Sequence, residues 1–240
     1  MSGFSSPIRI IFLLNSNSNK SQTALSRFTQ EWDLTDVEIA CISDSVSGKA
    51  NQKAQALDCP LIVCSDKDSQ EATIKEATDE IGGCDYLISV GWTHRVPSQS
   101  LSMPKQAALN VHSSYLPNYK GLSVHRAQWA NAEKEGGVTV HQMEESFDTG
   151  AIIAQQRYKI GLFDTPLTMT YTIGELSSAL LREAIFKIEH GYTGSVQSDE
   201  GDYYSLLPWP TILWYGIINH IYRALRIKKR NKVAAADTER

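Results

Sequence analysis

With 240 residues, 42% hydrophobic and 21% charged, the chain has the length and balance of one α/β domain, or of one domain and a short appendage, and is not composed like a disordered or fibrous protein. The formal net charge of −4 hides an asymmetry, because Arg223, Arg226, Lys228, Lys229, Arg230 and Lys232 crowd the C-terminal region. The remaining body is more acidic than the total, which argues against a broad nucleic-acid surface. No apolar run is long enough to span a bilayer, and the opening MSGFSSPIRI lacks a basic stretch followed by an apolar one, so a cytoplasmic location is expected. Cys41, Cys59, Cys64 and Cys84 form no C-x-x-C pair and sit mostly in apolar runs, which predicts small buried thiols and no metal site or disulfide framework.

The first half alternates short apolar runs with helical patterns. Residues 8–14 (IRIIFLL) predict a buried strand and 21–32 a helix with Ser21 as its N-cap. A second strand over 37–42, a helix over 49–57, a third strand over 61–64 and a helix near 69–81 follow, then strands over 86–90 and 107–111. This alternation predicts a mostly parallel, Rossmann-like sheet with helices on both faces. Beyond it come a helix over 124–132, strands over 138–143 and 152–160, and a long helix over 167–190. Asp164 or Thr165 caps that helix, Pro166 opens it and Gly191 ends it. A loop-rich stretch over 193–210 leads to apolar residues at helical spacing over 211–232, beside the basic end. A domain of residues 1–191 followed by an extension of 192–240 is the expected organisation.

The segment LNVHSSYLPNYKGLSVHRAQWANAEKEGGVTVHQMEESFDTGAIIA, residues 109–154, carries the chemistry. Asn110 and His112 stand two apart on a strand, so they share a face while Val111 points into the core. They close the fifth strand, at the carboxyl end where ligands bind in parallel sheets. Asp148 lies in the turn FDTG. An amide donor, an imidazole and a carboxylate meeting there can stabilise an oxyanion and move protons.

Asn110-Val111-His112, then Ser114, Leu116-Pro117 and Gly121, followed by Gly137-Val138-Thr139-x-His141 and Asp148-Thr149-Gly150, resemble the motifs of the folate-dependent formyltransferases. That family includes glycinamide ribonucleotide, methionyl-tRNA and amino-sugar formyltransferases. The resemblance runs from about Ile8 to Gly191 and fades over the last residues. It implies formyl transfer from 10-formyltetrahydrofolate to an amine, with Asn110, His112 and Asp148 as catalytic residues. It implies a folate pocket built from Trp92, Thr93, His94, Arg95 and Val96, with Glu145 and Phe147 closing its other side. His94 and Arg95 stand where the family usually has small or apolar residues. His125 and His141 are expected to pack or to support the site.

The acceptor is read by elimination within that resemblance. Ribonucleotide members carry a Gly-rich turn after the first strand, where this chain has Asn15-Ser16-Asn17-Ser18-Asn19-Lys20. The residues after Gly191 are too few for the tRNA-binding domain of the methionyl-tRNA members. A nucleotide-linked amino sugar is therefore the expected acceptor, glycinamide ribonucleotide the alternative, and an inactive formyltransferase-like binding protein the reading of another class. No nucleic acid is expected as a partner. The C-terminal helix is expected to pack on the body, to contact a second copy or to lie on a membrane surface.

Overall fold

The computed structural model describes residues 7–32, 36–64, 66–198, 200–227 and 232–233. In chain order its elements are β1 (Ile8–Leu14), α1 (Asn19–Glu31), β2 (Val37–Ser43), α2 (Lys49–Ala56), β3 (Leu61–Val63), α3 (Gln70–Glu80), β4 (Tyr86–Val90), α4 (Ser98–Leu101) and β5 (Ala107–His112). The second half adds β6 (Lys120–Gly121), α5 (Val124–Ala130), β7 (Glu135–Gln142), β8 (Ile152–Lys159), α6 (Pro166–Glu189), β9 (Tyr203–Tyr204) and α7 (Trp209–Ala224).

Among the described residues one sheet has the strand order β3-β2-β1-β4-β5-β7-β8. Strands β1 to β5 pair in parallel, and β7 and β8 add antiparallel at one edge. The alternation of side chains along β1 explains how both faces are covered. Ile10, Phe12 and Leu14 enter one core with residues of α1, α2 and α6, whereas Ile11 and Leu13 enter a second core with Ile74 and Ala77 of α3. The parallel Rossmann-like sheet predicted above is thus the observed fold.

Several boundaries differ for local reasons. Ser18, not Ser21, caps α1, its side chain accepting from the Ser21 backbone N–H. Ser21 already lies inside the helix, and its hydroxyl donates to the carbonyl of Val90 at 2.6 Å. Thr165 caps α6 in a reciprocal capping box with Thr168, with Pro166 in its first turn, and Gly191 follows the helix at φ +84°. Helix α5 stops before the predicted 132, where Ala132 has turned left-handed at φ +46°.

The predicted C-terminal helix begins two residues earlier, at Trp209, and ends at Ala224; Arg226 is left-handed at φ +56°, and Lys228, Lys229 and Arg230 lie outside the described residues. It is packed on α5. Ile212 is fully buried, Gly216 faces the Trp129 ring, and Asn219 Nδ2 donates to the Ala130 carbonyl at 2.8 Å. The Arg223 guanidinium ties the helix end to the carbonyls of Glu133 and Ile160 at 3.0 and 2.6 Å.

A Cβ on Gly216 would sit 2.0 Å from the Trp129 ring. Gly216→Ala should therefore lower stability by about 1–3 kcal/mol through overpacking. Urea denaturation checks this; an unchanged midpoint would mean that α7 does not seat on Trp129.

Candidate active site

The sheet register builds the first part of the site. Ser89 of β4 pairs with Asn110 of β5, and Asn110 pairs with His141 of β7, so three adjacent strands place three polar residues in one row. Side chains in such a row are cross-strand neighbours on one face. The Ser89 hydroxyl donates to Asn110 Oδ1 at 2.8 Å, which turns the amide nitrogen toward His141 Nε2, 3.1 Å away. His141 Nδ1 faces the carbonyl of Gln142 at 2.7 Å and must carry a proton there, since a carbonyl only accepts. The antiparallel pairing of β5 with β7 thus draws His141 into the site as the support of the Asn110 amide.

Asp148 completes the cluster from the loop between β7 and β8. Its backbone is left-handed at φ +57°, and its side chain is only 6% exposed. Oδ1 lies 3.1 Å from His112 Nδ1, 3.4 Å from His141 Nε2 and 3.4 Å from Asn110 Nδ2, while Oδ2 accepts from the Gly121 N–H at 2.8 Å. Burial pushes the carboxyl upward, but the charge and hydrogen bond of His112 outweigh it and hold Asp148 well below the usual carboxylate range. His112 Nε2 lies 2.7 Å from the Tyr119 carbonyl. Both His112 nitrogens therefore face groups that can only accept, an arrangement fully satisfied by the doubly protonated ring.

Two glycines of the motifs permit close approaches. Gly121, at φ +105°, donates to Asp148 and leaves no room for a Cβ, which would meet the Tyr204 carbonyl at 2.1 Å. A Cβ on Gly150 would meet the Gln142 carbonyl at 2.0 Å. The Leu116-Pro117 peptide bond is cis.

The cluster forms part of the wall of a cavity of about 850 Å³, and the same cavity is lined by Trp92, Thr93, His94, Arg95, Val96, Glu145 and Phe147. All ten site residues named from the sequence thus meet in one space, although their parts in it differ. Trp92 is only 8% exposed, within the second core, and its indole N–H donates to Gln70 Oε1 at 2.9 Å, so it supports the loop from below. Gln70 Nε2 in turn donates to the Arg95 carbonyl at 3.1 Å. The Arg95 guanidinium donates to the Glu145 carbonyl, and the Ser98 hydroxyl donates to Glu145 Oε1 at 2.8 Å. The unusual Arg95 therefore clamps one cavity loop to the other. Val96, Leu101, Met143 and Phe147 add apolar side chains to the wall of the same cavity.

A second group of lining residues comes from α1, α5 and the segment after residue 191. Lys20 Nζ reaches Ser113 Oγ at 3.1 Å and the Val111 carbonyl at 3.4 Å. Burial pushes its ammonium down to about 8 against the opposing pull of Asp148. His125 is pushed down to about 3 by burial and by Lys20, Arg126 and His112. The Arg126 guanidinium lies 4.5 Å from the centre of the Trp209 ring, and Leu206 and Trp209 complete this side. No local sequence pattern marks Leu206 or Trp209 as lining residues, because only the return of the chain over α5 brings them here. Most amides of the turn after β1 are already engaged: Ser16 N by Asp44 Oδ1, Asn17 N by Asn15 Oδ1, Ser18 N by the Asn15 carbonyl and Ser21 N by Ser18 Oγ.

The chain matches the formyl transferase family over residues 8–185 and belongs to it. It is 34% identical over 123 residues to a GDP-perosamine N-formyltransferase of Brucella melitensis, a stretch that covers 50% of this chain and 47% of that protein. It is 36% identical over 115 residues to a methionyl-tRNA formyltransferase of a Synechococcus strain, covering 48% of this chain and 36% of that one. The matched stretch thus spans about half the length of these curated relatives or less. Among solved structures, glycinamide ribonucleotide transformylase 1 from Symbiobacterium toebii superposes with a TM-score of 0.67 at 23% identity, over 81% of this chain and 95% of that one. A sugar 3N-formyl transferase crystallised with dTDP and 5-N-formyl-THF superposes with a TM-score of 0.61 at 16% identity, over 92% and 81%. At these identities the structural likenesses establish the fold.

The depressed carboxyl of Asp148 has a consequence for stability. An unfolded Asp titrates near about 3.9, above the folded value. The group therefore contributes stability that is complete above that pH and is lost as pH falls through the folded value. Asp148→Asn should be less stable than the parent at neutral pH and should lose less stability on acidification. Thermal unfolding followed from neutral pH to about pH 3 checks this, and parallel acid limbs would contradict it.

Proposed function

We propose that this protein transfers a formyl group from 10-formyltetrahydrofolate to the primary amine of a nucleotide-linked amino sugar. The observation that carries the reading is the contact of His112 and Asn110 with the buried Asp148 carboxylate at the wall of the large cavity. The bound folate supplies an activated formyl group, and the loops at Trp92–Val96 and Glu145–Phe147 would hold it. A neutral amine is already a strong nucleophile, so the protein must supply an oxyanion donor and a route for one proton from the incoming to the leaving nitrogen.

The residues divide those tasks. Among the contacts of the Asn110 amide, the 3.4 Å one to Asp148 is the weakest, so this N–H exchanges most readily to the formyl oxygen. The positive charge of the doubly protonated His112, fixed by Asp148, reinforces that donor as negative charge develops. The His112 proton passes to the leaving nitrogen once Nε2 exchanges the Tyr119 carbonyl for substrate, and the imidazole, neutral after that transfer and still held by Asp148, takes up the proton released by the attacking amine.

The acceptor reading rests on the second group of lining residues. Arg126 has no carboxylate within ion-pair distance among the described residues, and its stacking on Trp209 leaves the N–H edges of its guanidinium able to meet phosphate. A phosphate bound at the turn after β1, as glycinamide ribonucleotide would need, finds most of those amides engaged. The test is to incubate the purified protein with 10-formyltetrahydrofolate and a panel of nucleotide-linked amino sugars, with glycinamide ribonucleotide alongside, and to follow tetrahydrofolate release. Turnover of the ribonucleotide alone would replace the sugar reading, and folate binding without transfer to any amine would make the protein a binding relative.

His112→Ala and Asn110→Asp should each lower turnover by about 10²–10³ while folate affinity changes less. Equal losses in turnover and affinity would reassign these residues to binding. Arg126→Met should raise the KM for the acceptor about tenfold and leave the KM for the folate near its original value, as expected for one lost charged hydrogen bond. A change confined to kcat would overturn its assignment to the acceptor.

A further inference from the structure

The outer face of α7 is apolar and open. Leu213, Trp214, Ile217, Ile221 and Leu225 recur at spacings of one, three and four, and all are exposed, Trp214 at 67%. The opposite face, with Ile212, Gly216 and Asn219, is the one packed on the body. The bonds from Arg223 to the Ile160 carbonyl and from Trp129 to the Asp164 carbonyl bring the loop before α6 beside this helix, and that loop holds up Phe163 at 92% exposure. Large exposed apolar patches of this kind mark interaction surfaces.

The charge of the segment indicates what covers it. No Asp or Glu occurs between Asp202 and Asp237, whereas Arg223, Arg226, Lys228, Lys229, Arg230 and Lys232 fall within that interval. The Arg223 guanidinium is tied to backbone carbonyls, and Arg226 follows the helix on an exposed turn. A second copy of the chain would bring another acid-free, basic segment to this surface. A phospholipid surface brings phosphates for the cations and an acyl boundary for the apolar stripe.

We propose that α7 is a membrane-surface helix, which seats its Leu213–Leu225 face in the interface of an anionic bilayer with Arg226, just past its end, on the lipid phosphates. Its 16 residues make about 24 Å of helix, too short for a span, and no described helix is long and apolar enough to cross a membrane. The pattern is that of a helix lying in the interface plane, with the Trp ring suited to the headgroup level. Trp209, in the first turn of the same helix, lines the active-site cavity, so docking would hold that cavity at the bilayer. The inference does not depend on which amine is formylated.

The test uses the full chain with vesicles of phosphatidylcholine alone and of phosphatidylcholine mixed with phosphatidylglycerol. The protein should sediment with the mixed vesicles and not with the neutral ones, and added salt should release it by screening the charges. Ile217→Asn combined with Ile221→Asn should reduce vesicle binding about tenfold or more. Both positions are exposed, so the unfolding midpoint and formyl transfer in solution should stay unchanged. Arg226→Glu should weaken binding to the mixed vesicles with the same two controls unchanged. Failure of the parent protein to bind the mixed vesicles, or equal binding by the double variant, overturns the proposal. A dimer in solution that the double variant converts to a monomer, without vesicle binding, assigns the face to a second copy and overturns it as well.

Discussion

A buried carboxylate with all its donors supplied by the protein is the constraint around which this site is built. Leaving Asp148 buried and unpaired would cost several kcal/mol, so the groups that satisfy it are fixed as firmly as any core contact. They come from β5 and from the Gly121 backbone, and each brings its own requirement. Gly121 must lack a side chain because β9 presses against it, and the loop must turn left-handed at Asp148 to aim the carboxylate inward. Backbone strain, close packing and charge compensation are here parts of one arrangement, as they commonly are where chemistry is done.

That arrangement was readable in the sequence to the extent that it is local. The parallel strands appear as continuous apolar runs between polar turns, and β1 and β4 begin and end where those runs do. The period of two put Asn110 and His112 on one face before any pairing was known. What stayed hidden depends on partners far along the chain. Ser21 has the residue type of a cap, but the helix begins two residues before it and its hydroxyl reaches across to Val90. The two-residue strands β6 and β9 are too short for any periodicity. His141 was expected only to pack or support; that it holds the Asn110 amide follows from the antiparallel register between β5 and β7, which no single strand reveals.

The departures from the family's usual pocket residues have a structural use. Arg95 reaches across to the Glu145 carbonyl while Gln70 holds the backbone and indole of the same loop. Arg95 is thereby a strut between two walls of the cavity, whose lining also includes Val96, Leu101, Met143 and Phe147. Flat heterocycles gain most of their affinity from such apolar walls, with a few polar groups fixing orientation.

The segment between α6 and α7 has a wider consequence. Ser195 exchanges backbone hydrogen bonds with Ile152, Gln197 Nε2 donates to the carbonyls of Asp148 and Gly150, and β9 pairs with Lys120 and Gly121. Residues 120–121 and 148–152 are thus tied at three points to residues beyond the stretch matched to the family. A graft or recombination joint placed between α6 and β9 would separate the carboxylate from the seam that holds it, so the structural unit of this site is longer than its motifs.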